Sequence, residues 1–405
     1  MNCRFCNTTL NRGFADLGTA PPTNSFVSKE ALNGPEVYYP LKVYVCENCF
    51  LVQLEEFKKS NEIFSEDYVY FSSVSSSWLA HSKDYVEKMV PRLGLNENSL
   101  VVEIASNDGY LLQYVKEKGI PCLGIEPTAS TAAVAKNKGI PVAEEFFGTD
   151  FAGKWNKQAD LLLGNNVLAH VPDINDFVAG LKIALKPGGT VTMEFPHLMR
   201  LVEGNQFDTI YHEHFSYLSL YSVSKIFEEQ GLIIYDVEEL STHGGSLRIY
   251  AKHTANEVLA CSKNVENVLD EERKRGMQTL AYYEGFSNKM EKIKFSFLQF
   301  LLERKAAGQS VAAYGAAAKG NTLLNYCGIK SDLIDFVCDR AESKQGRFLP
   351  GSRIPVVTEN AMKERKPDYV VIFPWNIRSE IEKQLEYIRD WGGKFVTAIP
   401  ELRIG

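Results

Sequence analysis

The segment SLVVEIASNDGYLLQYVKEKG, residues 99 to 119, decides the fold. An apolar run ends in a turn of small residues and an apolar-periodic stretch follows, which predicts a strand, a loop and a helix. Further apolar runs, PCLGIEP, ADLLLGNNVLAHVPD and GGTVTMEFP, predict three more strands downstream, and a helix is expected before the first strand, from about residue 75 to 92. This order predicts an open α/β sheet.

The loop after the first strand favours a cationic ligand. Ala105, Ser106 and Gly109 are small enough to let the backbone approach a ligand closely. Glu103 and Asp108 supply anionic acceptors, which would repel a pyrophosphate. The loop also lacks the full G-x-G-x-x-G pattern of dinucleotide sites. A cationic amino-acid ligand is therefore expected, and a plain NAD-binding domain remains the alternative.

Polar side chains also end the next two predicted strands. Glu126 lies about 20 residues after the first loop, where an acidic residue can accept hydrogen bonds from ribose hydroxyls. Asn165, Asn166 and His170 end the third strand. Ligands of open α/β sheets bind outside the carboxyl ends of the strands, so these residues are expected to line one crevice.

Two C-x-x-C pairs, Cys3 with Cys6 and Cys46 with Cys49, account for four of the eight cysteines. Two such knuckles close a tetrahedral shell of four thiolates with no open position for water. The pattern predicts a structural zinc ribbon, and a redox dithiol is the alternative for either pair alone.

The composition is that of a globular protein with more than one domain. The chain has 405 residues, 45% of them hydrophobic and 23% charged, and a formal net charge of -7. The acidic balance gives no reason to expect nucleic acid as a partner. The start lacks a basic segment followed by an apolar run, and no stretch approaches the length of a membrane span, so we expect a cytoplasmic protein without a membrane partner.

The stretch DTIYHEHFSY, residues 208 to 217, places Tyr211, His212, Glu213 and His214 side by side. Such a density of titratable groups is typical of a catalytic loop. A second metal site and a satisfied polar cluster are the alternatives, although H-x-H without a third spaced ligand is a poor zinc pattern.

The last hundred residues repeat the strand, loop and helix pattern in QSVAAYGAAAKGNTLLNYCG. Helix-rich sequence from about residue 263 to 308 precedes it and is expected to join two domains. Lys319 and the backbone amides of residues 315 to 321 at a helix start suit a phosphate, and Lys344 and Arg347 follow. A degenerate duplicate domain that only packs is the alternative.

The whole chain resembles the S-adenosylmethionine-dependent sugar C-methyltransferases, which act on nucleoside-diphospho 4-keto-6-deoxyhexoses in branched deoxysugar biosynthesis. The motifs that carry the resemblance are the two cysteine knuckles, E-I-A-S-N-D-G, N-x-L-x-H from Asn166, Y-H-E-H from Tyr211 and Y-G-A-x-A-K-G-N from Tyr314. It implies a zinc ribbon over residues 1–56, a class I methyltransferase Rossmann-like domain over 57–262, a helical linker over 263–308 and a second Rossmann-like α/β domain over 309–405.

The resemblance implies that His214 is the general base that removes the proton beside the keto group and leaves an enolate. Imidazole titrates near neutral pH, which suits this task. Tyr211, His170 and Tyr70, the last ranked above Tyr68, are the candidates that would stabilise the enolate oxygen. Glu213 would position the loop or bind a sugar hydroxyl.

The expected ligand contacts fall into two groups. Those to S-adenosylmethionine are Glu103, Ala105, Ser106, Asn107, Asp108, Gly109, Glu126, Asn165 and Asn166. Those to the nucleotide sugar are Tyr70, His243, Tyr314, Gly315, Lys319, Asn321, Lys344 and Arg347. The resemblance implies methylation at C3 and a monomer, with either thymidine or guanosine diphosphate on the sugar.

Other functions stay open at this point. An O- or N-methyltransferase acting on a sugar nucleotide differs only in where the base lies. A NAD-dependent sugar-nucleotide dehydrogenase or epimerase is disfavoured by Glu103 and Asp108, and a zinc-ribbon interaction protein with an inactive core has no need of the acidic loop or of His214.

Overall fold

The computed structural model describes residues 1–57 and 71–405. Within them three β-sheets, of four, seven and six strands, occur in succession along the chain. No helix among the described residues combines the length and the apolar character that crossing a membrane would demand.

The N-terminal unit is a small antiparallel sheet. Its own strands are β1 (Arg12–Ala20), β2 (Tyr39–Val45) and β3 (Val52–Leu54). The period of two is clear in β2, where Leu41, Val43 and Val45 are buried and their neighbours are more exposed. One cysteine knuckle precedes β1 and the other forms the turn between β2 and β3. The fold thus brings the two knuckles together at one end of the sheet.

The central unit is a seven-stranded sheet between helices. Its strands are β4 (Val101–Ile104), β5 (Cys122–Ile125), β6 (Val142–Ala143), β7 (Ala159–Asn165), β8 (Leu185–Pro196), β10 (Leu232–Leu240) and β11 (Ser246–His253), and the short β9 (Ser216–Tyr217) lies in the same stretch of chain. Its helices are α1 (Ser76–Leu93), α2 (Leu112–Glu117), α3 (Ala129–Asn137), α4 (Thr149–Trp155), α5 (Ile174–Ala184), α6 (Leu198–Glu203) and α7 (Leu220–Glu229).

The strand order of this sheet, β10-β11-β8-β7-β4-β5-β6, creates a crevice at its centre. Strands β4 to β8 are parallel, and β11 and β10 are antiparallel at one edge. The chain builds one side of the sheet from β4 to β6 and then returns to the other side with β7, so the order reverses between β4 and β7. Ligands of open α/β sheets bind at such a switch point, above the carboxyl ends of the strands.

Strand β9 does not join the central sheet. It pairs with β3 as the fourth strand of the N-terminal sheet, in the register Val52 to Tyr217 and Gln53 to Ser216. The segment that carries residues 211 to 214 therefore runs directly into the sheet of the cysteine knuckles.

Helices α8 (Lys263–Lys274) and α9 (Phe286–Ala306) lead to the C-terminal unit. Its strands are β12 (Val311–Tyr314), β13 (Val337–Cys338), β14 (Val356–Val357), β15 (Tyr369–Ile372), β16 (Lys394–Thr397) and β17 (Arg403–Ile404), and its helices are α10 (Ala318–Cys327), α11 (Asn360–Arg365) and α12 (Arg378–Gln384). The sheet order is β14-β13-β12-β15-β16-β17, with only β17 antiparallel among these strands.

One apolar core joins the N-terminal sheet, helix α9 and the C-terminal unit. Phe14 of β1 stacks on Phe286 of α9 with ring centroids 4.7 Å apart, and Leu324 of α10 belongs to the same buried cluster. A buried pair ties α8 to the central unit, since the Glu272 carboxylate lies 2.7 Å from His197 Nε2 and accepts the Leu220 amide at the start of α7. The three units are thus packed against one another around the crevice.

Candidate active site

The loop after β4 has an unusual backbone. Ala105, Asn107 and Gly109 have φ values of 56°, 48° and 74°, so alternate residues lie in the left-handed region. A Cβ at position 109 would lie 2.4 Å from the end of the Ile140 side chain and 3.2 Å from the Ala135 Cβ, and with the positive φ this favours glycine. This tight loop leaves its backbone open to close approach by a ligand.

Acidic and polar atoms line this loop. Burial raises the pKa of Glu103 well above its usual value, the charges of Asp108 and Glu126 raise it further, and a hydrogen bond from Tyr110 opposes them. Asp108 Oδ1 and Ser106 Oγ are buried without a hydrogen-bond partner among residues 1–57 and 71–405. Buried acceptors of this kind fit the ammonium group of an amino-acid ligand.

Glu126, at the end of β5, is held by two backbone amides. The amides of Asn107 and Thr128 donate to its two carboxylate oxygens, each at 2.9 Å. Each oxygen keeps a second lone pair. The carboxylate is therefore fixed beside the loop and can still accept from a ribose.

A tight turn carries the cluster around His214. The His214 amide donates to the Tyr211 carbonyl at 2.9 Å, so the segment turns back on itself. The His214 ring lies 3.9 Å from the Tyr211 ring and 4.7 Å from the His170 ring, centroid to centroid. The turn and the end of β7 thus bring three predicted catalytic residues into contact.

The hydrogen bonding of His214 defines its tautomer. Its Nδ1 lies 2.8 Å from the Thr209 carbonyl oxygen, which can only accept, so Nδ1 carries the proton and Nε2 has the free lone pair. Burial lowers the pKa of His214 well below its usual value, and the charges of His170, His243 and Lys319 lower it further. The imidazole is therefore neutral at pH 7 and can act as a base.

The neighbours of His214 are braced by the N-terminal unit. Burial lowers the pKa of His170 to about 4, and a hydrogen bond to the backbone of Glu213 opposes this shift. The Asn24 side-chain amide donates to Glu213 Oε1 at 2.7 Å, and the His212 ring donates to the Pro40 carbonyl at 3.2 Å. The carboxylate of Glu213 is thus already engaged from outside the central unit.

The C-terminal unit contributes a half-buried cation. Lys319 Nζ, in the first turn of α10, donates to Asn376 Oδ1 at 3.0 Å and lies 4.4 Å from the Trp375 ring centroid. The Trp375 indole donates to Asp208 Oδ2 at 2.7 Å across the unit boundary. Burial lowers the pKa of Lys319 and raises the pKa of Asp208 to about 6. The lysine charge also lowers the pKa of both His214 and His243, so the ammonium belongs to the same pocket.

Asn165 and Asn166 occupy the mouth of the crevice at the end of β7. The Asn165 amide donates to the Tyr110 hydroxyl at 3.4 Å, and the Asn166 amide donates to His243 Nε2 at 2.8 Å. Asn166 and His243 both have φ of 55°, in the left-handed region. His243 also lies 5.1 Å from the Trp78 ring, so α1 closes this side of the pocket.

Other predicted substrate contacts are placed differently. Arg347 is exposed, and Lys344 donates to the Ala316 carbonyl at 2.9 Å. The Tyr314 hydroxyl meets Gln384 in the core on the far side of the C-terminal sheet. Asn321 is fully buried and donates to the Thr23 carbonyl at 2.7 Å.

Gly315 and Tyr70 are the remaining predicted substrate contacts. Gly315 adopts a φ of 90° at the end of β12, where a Cβ would lie 2.5 Å from Pro374. Tyr70, like its rival Tyr68, lies outside the described residues.

The four cysteines of the knuckles form one cluster. Cys3, Cys6, Cys46 and Cys49 have all their Sγ atoms within 4.8 Å of one another. The closest pairs are 3.5 Å apart, too far for a disulfide and suited to a tetrahedral shell. Across residues 1–57 and 71–405 no other group of this kind occurs, and the H-x-H of the turn is not part of one there. The donor set fits a structural zinc ion.

Comparison with known proteins matches three family models in succession along the chain. A zinc binding domain matches residues 3–64, a methyltransferase domain matches 78–237 and a C-methyltransferase C-terminal domain matches 241–400. The C-methyltransferase NovU of Streptomyces niveus is 34% identical over 409 aligned positions, which cover 99% of this chain and 96% of that protein.

The chain belongs to the C-methyltransferases.

This C-methyltransferase depends on S-adenosylmethionine, and its α/β class and N-terminal zinc-binding domain are as the sequence predicted. The family assignment overturns the dehydrogenase alternative. The left-handed loop at residues 105 to 109, the unpartnered Asp108 Oδ1 and the held carboxylate of Glu126 fit the amino-acid and ribose parts of that cofactor.

Solved structures resemble part of the C-methyltransferase. A methyltransferase from Clostridium acetobutylicum aligns with 42% of this chain and 90% of its own at 14% identity and a TM-score of 0.36. Magnesium protoporphyrin IX methyltransferase from Synechocystis, with bound S-adenosylhomocysteine, aligns with 43% of this chain and 84% of its own at 14% identity and a TM-score of 0.35.

Sequence analysis missed several residues of the pocket. Trp375 and Asn376 follow the apolar strand YVVIFP, so the rule that located Asn165 at a carboxyl end could have found them. Asn24 gives no such signal, because it lies in a loop of the zinc-binding unit, far from the turn in sequence.

Proposed function

We propose that this C-methyltransferase transfers the methyl group to carbon, at C3, of a nucleoside-diphosphate-linked 4-keto-6-deoxy sugar in branched deoxysugar biosynthesis. The observation that carries the proposal is the half-buried, neutral His214, whose Nε2 lone pair is available beside Tyr211 and His170.

His214 would remove the proton from the carbon next to the ketone. The bond between Nδ1–H and the Thr209 carbonyl holds the ring in the tautomer that keeps Nε2 free. The electron pair of the broken C–H bond passes to the carbonyl oxygen and gives an enolate. The carbon of this enolate is the nucleophile that accepts the methyl group. Bound S-adenosylmethionine supplies an electrophilic methyl group that requires no activation.

The enolate oxygen needs a donor, because a base with a lowered pKa gains little driving force from proton transfer alone. Tyr211 and His170 contact the base, and Tyr70 is the third candidate. We assign Glu213 a positioning role, since its carboxylate is engaged by Asn24.

The diphosphate would bind on the C-terminal side. Lys319 is a half-buried lysine whose ammonium contacts the neutral Asn376 and the Trp375 ring and interacts with the charge of Asp208, and the first turn of α10 follows the small-residue loop after β12. An anion there would be stabilised by the lysine charge and the helix start together. We therefore propose that the zinc-binding unit, the central unit and the C-terminal unit bind the metal, the methyl donor and the nucleotide, respectively.

The test is incubation with S-adenosylmethionine and either thymidine- or guanosine-diphospho-4-keto-6-deoxyhexose, followed by mass spectrometry and NMR of the product. One added methyl group on C3 is expected with one of the two nucleotides. His253→Ala is the matched control for His214→Asn. The His253 ring bonds the Leu185 carbonyl at the opposite end of the central sheet, so its loss should leave turnover intact. Intact cofactor binding by calorimetry with no methyl transfer to either sugar would contradict the proposal.

A further inference from the structure

Arg4 lies inside the first cysteine knuckle, between Cys3 and Cys6, and its side chain reaches away from the cysteines. One guanidinium nitrogen donates to the Leu54 carbonyl at 2.5 Å and the other donates to the Pro172 carbonyl at 2.8 Å. The guanidinium carbon also lies 5.4 Å from the centroid of the Phe215 ring.

These contacts involve the two segments that carry His170 and His214. Pro172 is two residues after His170, and Phe215 is the residue after His214. The Phe215 amide donates to the Ala169 carbonyl at 2.8 Å, so the two segments are also joined to each other. We call the place where the Phe215–Ala169 hydrogen bond joins the two segments the junction. Arg4 contacts both segments at this junction.

A second side chain ties the same junction to the knuckle. Gln53 is fully buried, its Nε2 donates to Cys3 Sγ at 3.2 Å, and its Oε1 accepts the Arg4 amide at 2.8 Å. The backbone of Gln53 pairs with Ser216, and the Leu54 amide donates to the Phe215 carbonyl at 2.9 Å. A continuous set of short contacts thus runs from a metal-ligating sulfur to the residue after His214.

We propose that Arg4 is a positioning residue for catalysis, through which the zinc-loaded knuckle fixes His170 and His214 relative to each other. The inference rests on the proposed role of His214 as base. A planar guanidinium offers several donors in a rigid fork, so one side chain can hold two carbonyls and a ring together. Lysine has one nitrogen and cannot reproduce that geometry. A shift of about 1 Å in a catalytic group costs about 100-fold in rate, so loss of the fork should be visible in turnover.

The experiment compares Arg4→Met with Arg12→Met in the full-length, zinc-loaded enzyme. Arg12 is an exposed arginine of the same unit, paired with Glu47 at the surface. The readouts are zinc per chain, cofactor affinity by calorimetry, the pKa of His214 by NMR, amide exchange over residues 209 to 217, and kcat. The His214 resonance is assigned by its loss in His214→Asn.

For Arg4→Met we expect unchanged zinc content and cofactor affinity, faster exchange over residues 209 to 217, and a kcat lower by about 10- to 100-fold. The pKa of His214 should rise toward its usual value, because a looser turn admits water. Arg12→Met should match the wild type throughout.

Wild-type exchange, His214 pKa and kcat in Arg4→Met would overturn the inference. Should Arg4→Met lose zinc, Arg4→Lys takes its place: faster exchange and a lower kcat support the inference, and wild-type values in all readouts overturn it. Turnover that survives in His214→Asn would instead contradict the proposed function, so the two failures are distinguishable.

Discussion

The loops after β4 and β12 have the same plan and opposite charge. Each follows a buried parallel strand, uses a glycine with positive φ, at Gly109 and Gly315, and leads toward a helix. The first presents the carboxylate of Asp108, whereas the second leads to the half-buried ammonium of Lys319. One local geometry thus suits a cationic donor on one side of the pocket and an anionic acceptor on the other.

If the two loops bind the proposed ligands, side-chain charge, and not the loop fold, sets the ligand class. The His214 ring is neutral, because burial and the charges of His170, His243 and Lys319 all lower its pKa. The proposed carbon deprotonation needs a neutral base, because a protonated imidazole cannot accept a proton.

The largest effect is expected at the base itself. His214→Asn should lower kcat by about 1000-fold, within the range that general bases contribute, while cofactor affinity changes little. Steady-state kinetics and calorimetry measure the two quantities. An equal loss of kcat and of cofactor affinity would indicate that His214 acts with the donor-binding loop after β4. That result would contradict a separate role for the turn as the base.

Next in size is the cationic loop. Lys319→Met should raise the KM of the nucleotide sugar by about 10- to 100-fold, because a charge-assisted contact to phosphate is lost, and should change kcat less. Lys330→Met, an exposed lysine of the same unit, is the control for steady-state kinetics. A fall in kcat at constant KM would indicate that the Lys319 charge stabilises the enolate and not the diphosphate.

A smaller effect is expected in the acidic loop. Asp108→Asn should weaken S-adenosylmethionine binding by about 10-fold, because the neutral amide cannot pair with the ammonium group of the cofactor as the carboxylate does. The KM of the sugar should stay constant. Calorimetry checks the affinity beside Asp150→Asn, a control at an exposed ion pair. Unchanged cofactor affinity would contradict the assignment of this loop.

The smallest effect is on pH dependence. A base must be neutral, and the pKa of His214 is lowered, so kcat/KM should persist as pH falls through 6.5 and decline only below it. Because Lys319 contributes to that lowering, Lys319→Met should move the acidic limb upward. The pH profiles of the two enzymes measure this. A decline centred at or above pH 6.5 in the wild type would contradict the lowered pKa of His214.

Much of the fold was accessible from sequence, because apolar runs and small-residue loops are local signals. The acidic loop and the carboxyl-end residues Glu126 and Asn165 follow from strand patterns alone. The pairing of β9 with β3 did not, since two residues carry no strand signal and their partner is more than 160 positions away. Asn24 and Arg4 act through that long-range junction, so their contacts were equally invisible.

The most direct test of the account is proton exchange without methyl transfer. The enzyme is incubated in deuterated water with S-adenosylhomocysteine and the keto sugar nucleotide that proves to be methylated, and the sugar is analysed by NMR. We predict deuterium at the carbon that becomes methylated with the wild type and His253→Ala, and none above background with His214→Asn. Exchange in His214→Asn at the wild-type rate would contradict the central claim that His214 generates the enolate.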